Sequence, residues 1–188
     1  MAKVMIPARG LFLSSAPEVR RLLATIGIDY QRWEMDRVTE DSEAREVLQA
    51  YAKEIDDLKQ RGGYTTADVI DVWPNTPGLD VLLDRFKSEH THSEDEVRFI
   101  LSGRGVFHIR PVSGDVVSIE VGPGDLICVP RDTRHWFNLC PERRIRAIRW
   151  FQDTAGWTPQ YTHSQVDTEF EAVCFGPQQF GPSVESKI

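Results

Sequence analysis

Short apolar segments recurring between Glu96 and Phe151 constrain this 188-residue chain more than any other feature. Glu96–Leu101, Val106–Arg110, Val116–Val121, Leu126–Val129 and Ile145–Phe151 are rich in Val, Ile and Phe. These side chains suit a pleated, half-buried surface. Ser102-Gly103-Arg104-Gly105, Ser113-Gly114-Asp115 and Gly122-Pro123-Gly124-Asp125 separate the first four segments, and the first of these reads as a hairpin turn. Ala67–Trp73 adds another alternating segment. Strands about 8–12 residues apart with Gly-rich turns predict an antiparallel barrel or a double-sheet jelly roll.

Ahead of the strands the apolar period lengthens to that of helices. Pro17 to Ile26 follows Ser14-Ser15 and stops at Gly27, and Leu79 to Phe86 follows Pro77-Gly78. From Ser42 to Gln60, Ala44, Val47, Leu48, Tyr51, Ile55 and Leu58 share one helix face. The expectation is a mainly β chain with helices (α+β), forming a single domain over residues 1–188. A helical part covers about 17–61, the strands about 67–151, and a polar Gly/Pro tail begins at Gly176.

Composition narrows the function classes. With 40% apolar and 27% charged residues the chain reads as an ordinary globular protein. A net charge of −7 without a basic stripe excludes nucleic acid as the expected partner. Arg143, Arg144 and Arg146 come closest to a patch and read as a solvated strand entrance. No segment is long and apolar enough to span a membrane, and residues 1–15 lack the apolar core of a secretion signal. Cys128, Cys140 and Cys174 form an odd set without CxxC spacing, which predicts reduced thiols in a cytoplasmic protein.

The chemistry concentrates in Glu89-His90-Thr91-His92-Ser93-Glu94-Asp95-Glu96-Val97-Arg98. Two histidines one residue apart on an extended chain share a face, with Cα atoms roughly 6–7 Å apart. Glu96 adds an anionic oxygen, and Arg98 follows on the same face of the next strand. Far along the chain, Gly124-Asp125-Leu126-Ile127-Cys128-Val129-Pro130 is a glycine turn and strand leading to His135. Together these form the two-part cupin pattern, which implies a cupin double-stranded β-helix, a jelly-roll barrel with the N-terminal helices packed on it. The chain departs from that pattern where Asp84 and Asp132 stand at positions often held by glycine, and where Asn138 comes one residue early. His108 reads as a packed mid-strand residue, and His163 is given no role.

Three imidazoles and one carboxylate, His90, His92, His135 and Glu96, suit Fe(II), Ni(II), Mn(II) or Zn(II). Four protein donors on an octahedral ion would leave two adjacent positions for a bidentate oxygen ligand. The residual positive charge, reinforced by Arg98, favours an anionic chelator such as an enediolate. Guanidinium stays protonated near neutral pH, so Arg98 can hold oxyanions but cannot act as a base.

On Glu89 to Arg110 (EHTHSEDEVRFILSGRGVFHIR) and Gly124 to Phe137 (GDLICVPRDTRHWF), the chain resembles the acireductone dioxygenase family of methionine salvage. Tyr30–Glu34, Ala50–Tyr64, Asp68–Ile70 and Ala147–Trp157 extend the resemblance over nearly the whole chain. It implies O₂-dependent cleavage of 1,2-dihydroxy-3-keto-5-(methylthio)pentene with one Fe²⁺ or Ni²⁺ per chain. Iron yields formate and 4-methylthio-2-oxobutanoate, while nickel yields 3-(methylthio)propanoate, formate and carbon monoxide. The family's ligands fall on His90, His92, Glu96 and His135, and its substrate-dianion residue on Arg98. Its pocket aromatics fall on Phe86, Phe137 and Trp157. Glu89 and Asp95 match positions tied to metal incorporation and conformational transmission, though both also read as solvated acids. The expected partners are this small molecule and O₂, acting on a monomer. Another metal cupin enzyme, an isomerase or a different dioxygenase, and a non-catalytic metal- or metabolite-binding cupin are the competing readings.

Overall fold

The computed structural model describes residues 1–153, 158–170 and 174–175. Among the described residues there are twelve strands: β1 (Lys3–Ile6), β2 (Leu11–Leu13), β3 (Asp29–Arg32), β4 (Thr66–Val72), β5 (His90–Thr91), β6 (Glu96–Gly103), β7 (Gly105–Arg110), β8 (Val117–Val121), β9 (Asp125–Val129), β10 (Arg134–Leu139), β11 (Ile145–Phe151) and β12 (Gln160–Tyr161). Helices are α1 (Ala16–Thr25), α2 (Ala44–Ala50), α3 (Ala52–Gly62) and α4 (Leu79–Asp84).

The strands form two antiparallel sheets, one ordered β12-β5-β10-β7-β8-β1-β2 and the other β3-β9-β6-β11-β4. Both sheets are open, with β12 and β2 at the edges of the first and β3 and β4 at the edges of the second. Among the described residues neither sheet pairs its two edge strands, so the closed jelly-roll barrel expected from the cupin pattern is not formed. The chain is α+β with two open sheets.

The turn at Ser102–Gly105 is also not the expected hairpin. β6 pairs with β9 and β11, whereas β7 pairs with β10 and β8, so the chain changes sheets between them. Gly103 makes the corner at φ 75°, where a Cβ would collide with the Arg144 carbonyl. Gly122-Pro123-Gly124 repeats the change of sheet between β8 and β9, while Ser113-Gly114-Asp115 does join a hairpin, β7–β8.

One core lies between the sheets, where Ile100 and Ile127 meet Val4, Phe107, Ile109 and Ile119, with Val19 and Leu23 of α1 against it. A second lies outside the five-stranded sheet, where Val47, Tyr51, Ile55 and Leu58 cover Val97, Phe99, Ile148 and Trp150. β6 is thus buried on both faces. The helix expected over 42–60 bends at Tyr51 (φ −108°, ψ 18°), whose ring packs 5.0 Å from Phe99 and whose hydroxyl donates to the Glu34 carbonyl at 2.8 Å. Tyr51 N–H still reaches the Val47 carbonyl (3.2 Å), and Ile55 N–H the Tyr51 carbonyl (2.9 Å), so the bend separates two helices that remain bonded in series. Glu43 and Glu46 form a capping box at the start of α2, one residue beyond Ser42.

Arg144 and Arg146 are not a solvated strand entrance. Arg144 is buried with its guanidinium 3.7 Å above the Trp73 ring and 2.5 Å from Asp71, and Arg146 donates to the Glu40 carbonyl at 2.8 Å. They fasten β11 to β4 and to the segment before α2. Nor are all three cysteines free: Cys140 and Cys174 are joined in a disulfide, and Cys128 alone remains a thiol. Among the described residues no helix is long and apolar enough to cross a membrane. The tail from Gly176 and Trp157 lie outside the described residues.

Candidate metal centre

Antiparallel pairing of β5 and β10 sets His90 directly opposite His135. Strand alternation points His135 to the inner face, toward the five-stranded sheet, while Trp136 points outward. His92 follows β5 on a loop held by the Asp132 N–H, which donates to the His92 carbonyl at 2.9 Å. Asp132 sits at φ 62°, a left-handed conformation that explains why glycine commonly holds this position and why Asp, which tolerates that region, can replace it. Glu96 opens β6 and is the one donor from the five-stranded sheet.

All four side chains are buried, and one ligand atom from each lies within 4.8 Å of the others. His135 Nε2 is 3.0 Å and His92 Nε2 3.3 Å from the same Glu96 oxygen, Oε2. His90 Nδ1 lies 2.7 Å from the Ser88 carbonyl and His135 Nδ1 2.8 Å from that of Thr133. A carbonyl only accepts, so in the neutral rings each Nδ1 carries the hydrogen and each Nε2 turns a lone pair inward. His90 Nε2 and both nitrogens of His92 are buried without a hydrogen-bond partner. Lone pairs and an anionic oxygen converging away from water require positive charge among them. A divalent cation fits this donor set.

The electrostatics agree. Burial, then repulsion from His135, pushes the His90 imidazole down to about 4, which keeps it neutral and able to donate near pH 7. Burial opposes ionisation of Glu96, yet the Arg98 charge, with the His135 and His92 rings set against Oε2, holds its carboxyl well below the usual range.

Arg98 shares the inner face with Glu96 but is not left without a partner when Glu96 faces the histidines. Its Nη2 lies 3.1 Å from Glu96 Oε1, the oxygen turned away from the imidazoles, and its Nη1 donates to the Val97 carbonyl at 2.9 Å. Burial pushes this guanidinium down to about 10, so it remains charged at neutral pH. Glu96 and Arg98 line a cavity whose apolar wall includes Leu83, Phe86, Phe107 and Phe137. Phe137 N–H donates to the Phe86 carbonyl at 2.7 Å, which ties the two expected aromatics together. Gly105 leaves the space that the Phe137 ring fills.

Arg149 also lines this cavity and was not singled out from sequence. It stands directly opposite Arg98 in the β6–β11 pairing and grips Asp68 through two bonds, 2.8 and 2.6 Å. The signal was present in the alternation of β11, which sets Ile145, Ala147 and Arg149 on one face. Glu89 and Asp95 are not solvated acids. Glu89 is buried, 2.8 Å from Arg110 Nε, and accepts from Ser164 at 2.6 Å. Asp95 accepts from the Tyr64 hydroxyl and the Arg131 N–H, each at 2.9 Å. His108 is packed as expected, and His163 is not part of the cluster.

A profile of the ARD/ARD' family matches residues 14–159, a span that holds all four donors and Arg98. The chain belongs to the ARD/ARD' family. Among curated relatives, the acireductone dioxygenase of Sulfurihydrogenibium sp. (strain YO3AOP1) is 37% identical over 89% of this chain and 98% of its own length. That of Exiguobacterium sibiricum is 38% identical over 89% of this chain and 99% of its own. The solved acireductone dioxygenase from Bacillus anthracis, which has a cadmium ion in its active center, superposes with a TM-score of 0.82 at 38% identity. It is covered to 98% of its length and covers 86% of this chain. The ARD/ARD' match leaves out Cys174 and Phe175.

Proposed function

We propose that this chain is an acireductone dioxygenase of methionine salvage that cleaves 1,2-dihydroxy-3-keto-5-(methylthio)pentene with O₂. One Fe²⁺ or Ni²⁺ would be held by His90, His92, Glu96 and His135. The observation that carries this reading is the convergence of these four buried donors beside an apolar cavity containing a charged guanidinium. When bound, the metal supplies Lewis acidity toward the enediolate and the electronic means for it to react with O₂. Arg98 holds a fixed positive charge beside the substrate oxyanion and favours loss of its protons. Phe86 and Phe137 wall the methylthio tail and keep water off the reacting carbons, and Trp157 is assigned the same role. Glu89 braces the His90 strand through Arg110, and Asp95 holds the ligand loop to Tyr64 and Arg131.

With iron the products are formate and 4-methylthio-2-oxobutanoate. With nickel they are 3-(methylthio)propanoate, formate and carbon monoxide. One apo preparation divided between Fe(II) and Ni(II), given substrate without oxygen and then O₂, tests the assignment. Loss of the enediolate absorbance is expected in both, with carbon monoxide only from the nickel portion. An active nickel form that releases no carbon monoxide refutes the metal-dependent outcome, and no turnover with either metal refutes the activity.

A further inference from the structure

We infer that Cys140–Cys174 is a reversible disulfide clasp that locks the C-terminal segment across the outer face of the seven-stranded sheet and is opened by a dithiol reductant. The described residues of this segment are anchored at successive points. Gln160 and Tyr161 pair with Thr91 and His90, and Thr162 N–H donates to the Glu89 carbonyl at 3.1 Å. Phe170 then lies 5.6 Å from the Trp136 ring and 6.2 Å from that of His108. Beyond it, Cys174 is bonded to Cys140, and Phe175 is buried with Val106, Met5 and Phe12. Lys3 Nζ donates to the Phe175 carbonyl at 2.9 Å, and the Phe175 N–H donates to Glu120. Among the described residues between β12 and Phe170, the anchors are the bonds of Thr162 and Ser164 to Glu89 and the packing of Phe170 on Trp136. The disulfide is the covalent stop at their far end, 34 residues from its partner in sequence.

The two sulfurs differ in access, since Cys140 is 1% exposed and Cys174 is only half-buried. A thiolate of the reductant therefore attacks the Cys174 sulfur. A mixed disulfide forms there as the Cys140–Cys174 bond breaks, and Cys140 leaves as thiolate and takes a proton. The reductant's second thiol then attacks the mixed disulfide, releases Cys174 as a thiol and leaves the reductant as a disulfide. Two electrons and two protons pass to the protein. A carboxylate oxygen of Glu120 lies within 4.8 Å of both sulfurs, but Glu120 is already matched by Lys3 at 3.4 Å and Arg104 at 3.3 Å. Glu120 is thus engaged by two cations, and both sulfurs are already joined to each other, so disulfide exchange is the chemistry this cluster supports.

The experiment uses full-length protein, its Cys174→Ser variant and Cys128→Ser as a control, each with and without dithiothreitol. Digestion without reductant is expected to yield a peptide linked through Cys140 and Cys174 in wild type and in Cys128→Ser. Hydrogen exchange read by mass spectrometry is expected to accelerate on reduction about tenfold or more over residues 160–170, with β7 and β8 unchanged. Cys174→Ser should exchange fast in this segment under both conditions, and re-oxidation of wild type should restore slow exchange. Three free thiols in the air-exposed protein would overturn the proposal. So would exchange over 160–170 that ignores reduction, or a reduction that also accelerates β7 and β8. These readouts need neither metal nor substrate, so they succeed or fail independently of the proposed activity.

Discussion

His135 and His108 lie on paired strands, β10 and β7, and each is 2% exposed, yet they belong to opposite faces of one sheet. His135 points inward and turns Nε2 toward Glu96 and the rings of His90 and His92, 4.5 and 5.3 Å away. His108 points outward, lies 2.8 Å from the Ser118 hydroxyl through Nδ1 and stacks on Trp136 at 4.9 Å. Burial alone does not distinguish a donor from a packing residue. What does is whether other lone pairs converge on the second nitrogen or an aromatic wall covers it.

The sharpest way to break this distinction is to delete each ring. His135→Ala should lower affinity for Ni(II) by more than about 100-fold, beyond the 10–100-fold typical of groups that only orient a ligand. His108→Ala should keep a full equivalent of metal at unchanged affinity while melting earlier. Metal analysis of both folded variants decides the matter, and comparable loss from the two would erase the difference between the faces.

Acid should separate the faces next. Burial pushes His108 down to about 4, from about 6.5 in an unfolded chain, so its neutral form is the one the fold accepts. A depressed folded value means that this stability is complete above about pH 6.5 and is lost as pH falls toward 4. The whole shift is worth about 3 kcal/mol. His108→Phe should remove only its own share of that slope from denaturation of the apo protein between pH 6.5 and 4, the rest coming from His90, which burial also pushes down to about 4. An unchanged slope would assign the acid sensitivity elsewhere.

Arg98 sharpens the inner side of the comparison with the smallest effect. Arg98→Ala should retain metal but lose roughly one to two powers of ten in turnover, the range of a charge-assisted bond of about 1.5–3 kcal/mol. Arg98→Lys should recover part, having the charge without the planar fork. Because Arg98 also holds the outer oxygen of Glu96, metal affinity measured alongside turnover separates its two contacts. A variant that loses metal in proportion to activity would make Arg98 a support for Glu96 alone.

The cluster of three imidazoles and a carboxylate was legible in the sequence because two separated motifs together match the cupin pattern. Alternation aligns His90 with His92, and a glycine turn followed by a buried strand delivers His135. The sheet architecture was not legible to the same degree. Ser102-Gly103-Arg104-Gly105 has the composition of a hairpin, and only the neighbouring Arg144 backbone makes it a crossing between sheets. Closure depends on whether edge strands such as β2 and β4 find partners, which no property of their own residues encodes. The clasp was invisible for a similar reason, since an odd cysteine count says nothing about which two sulfurs tertiary packing brings together. Arg98 was placed on the right face, but its bond to Glu96 depends on which carboxylate oxygen the histidines occupy.

Three of the four donors come from β5, β10 and the loop between β5 and β6, and the fourth from the opposing sheet. No fragment holding only one sheet contains the site. Capture of a cation by all four groups is therefore a test of assembly: it selects chains whose two sheets have docked and ignores those arrested before that step. At a free-ion concentration 100 times the dissociation constant, this selection adds about 2.7 kcal/mol to the assembled state. Metal supply would then govern how much completed protein persists as well as how fast each molecule turns over.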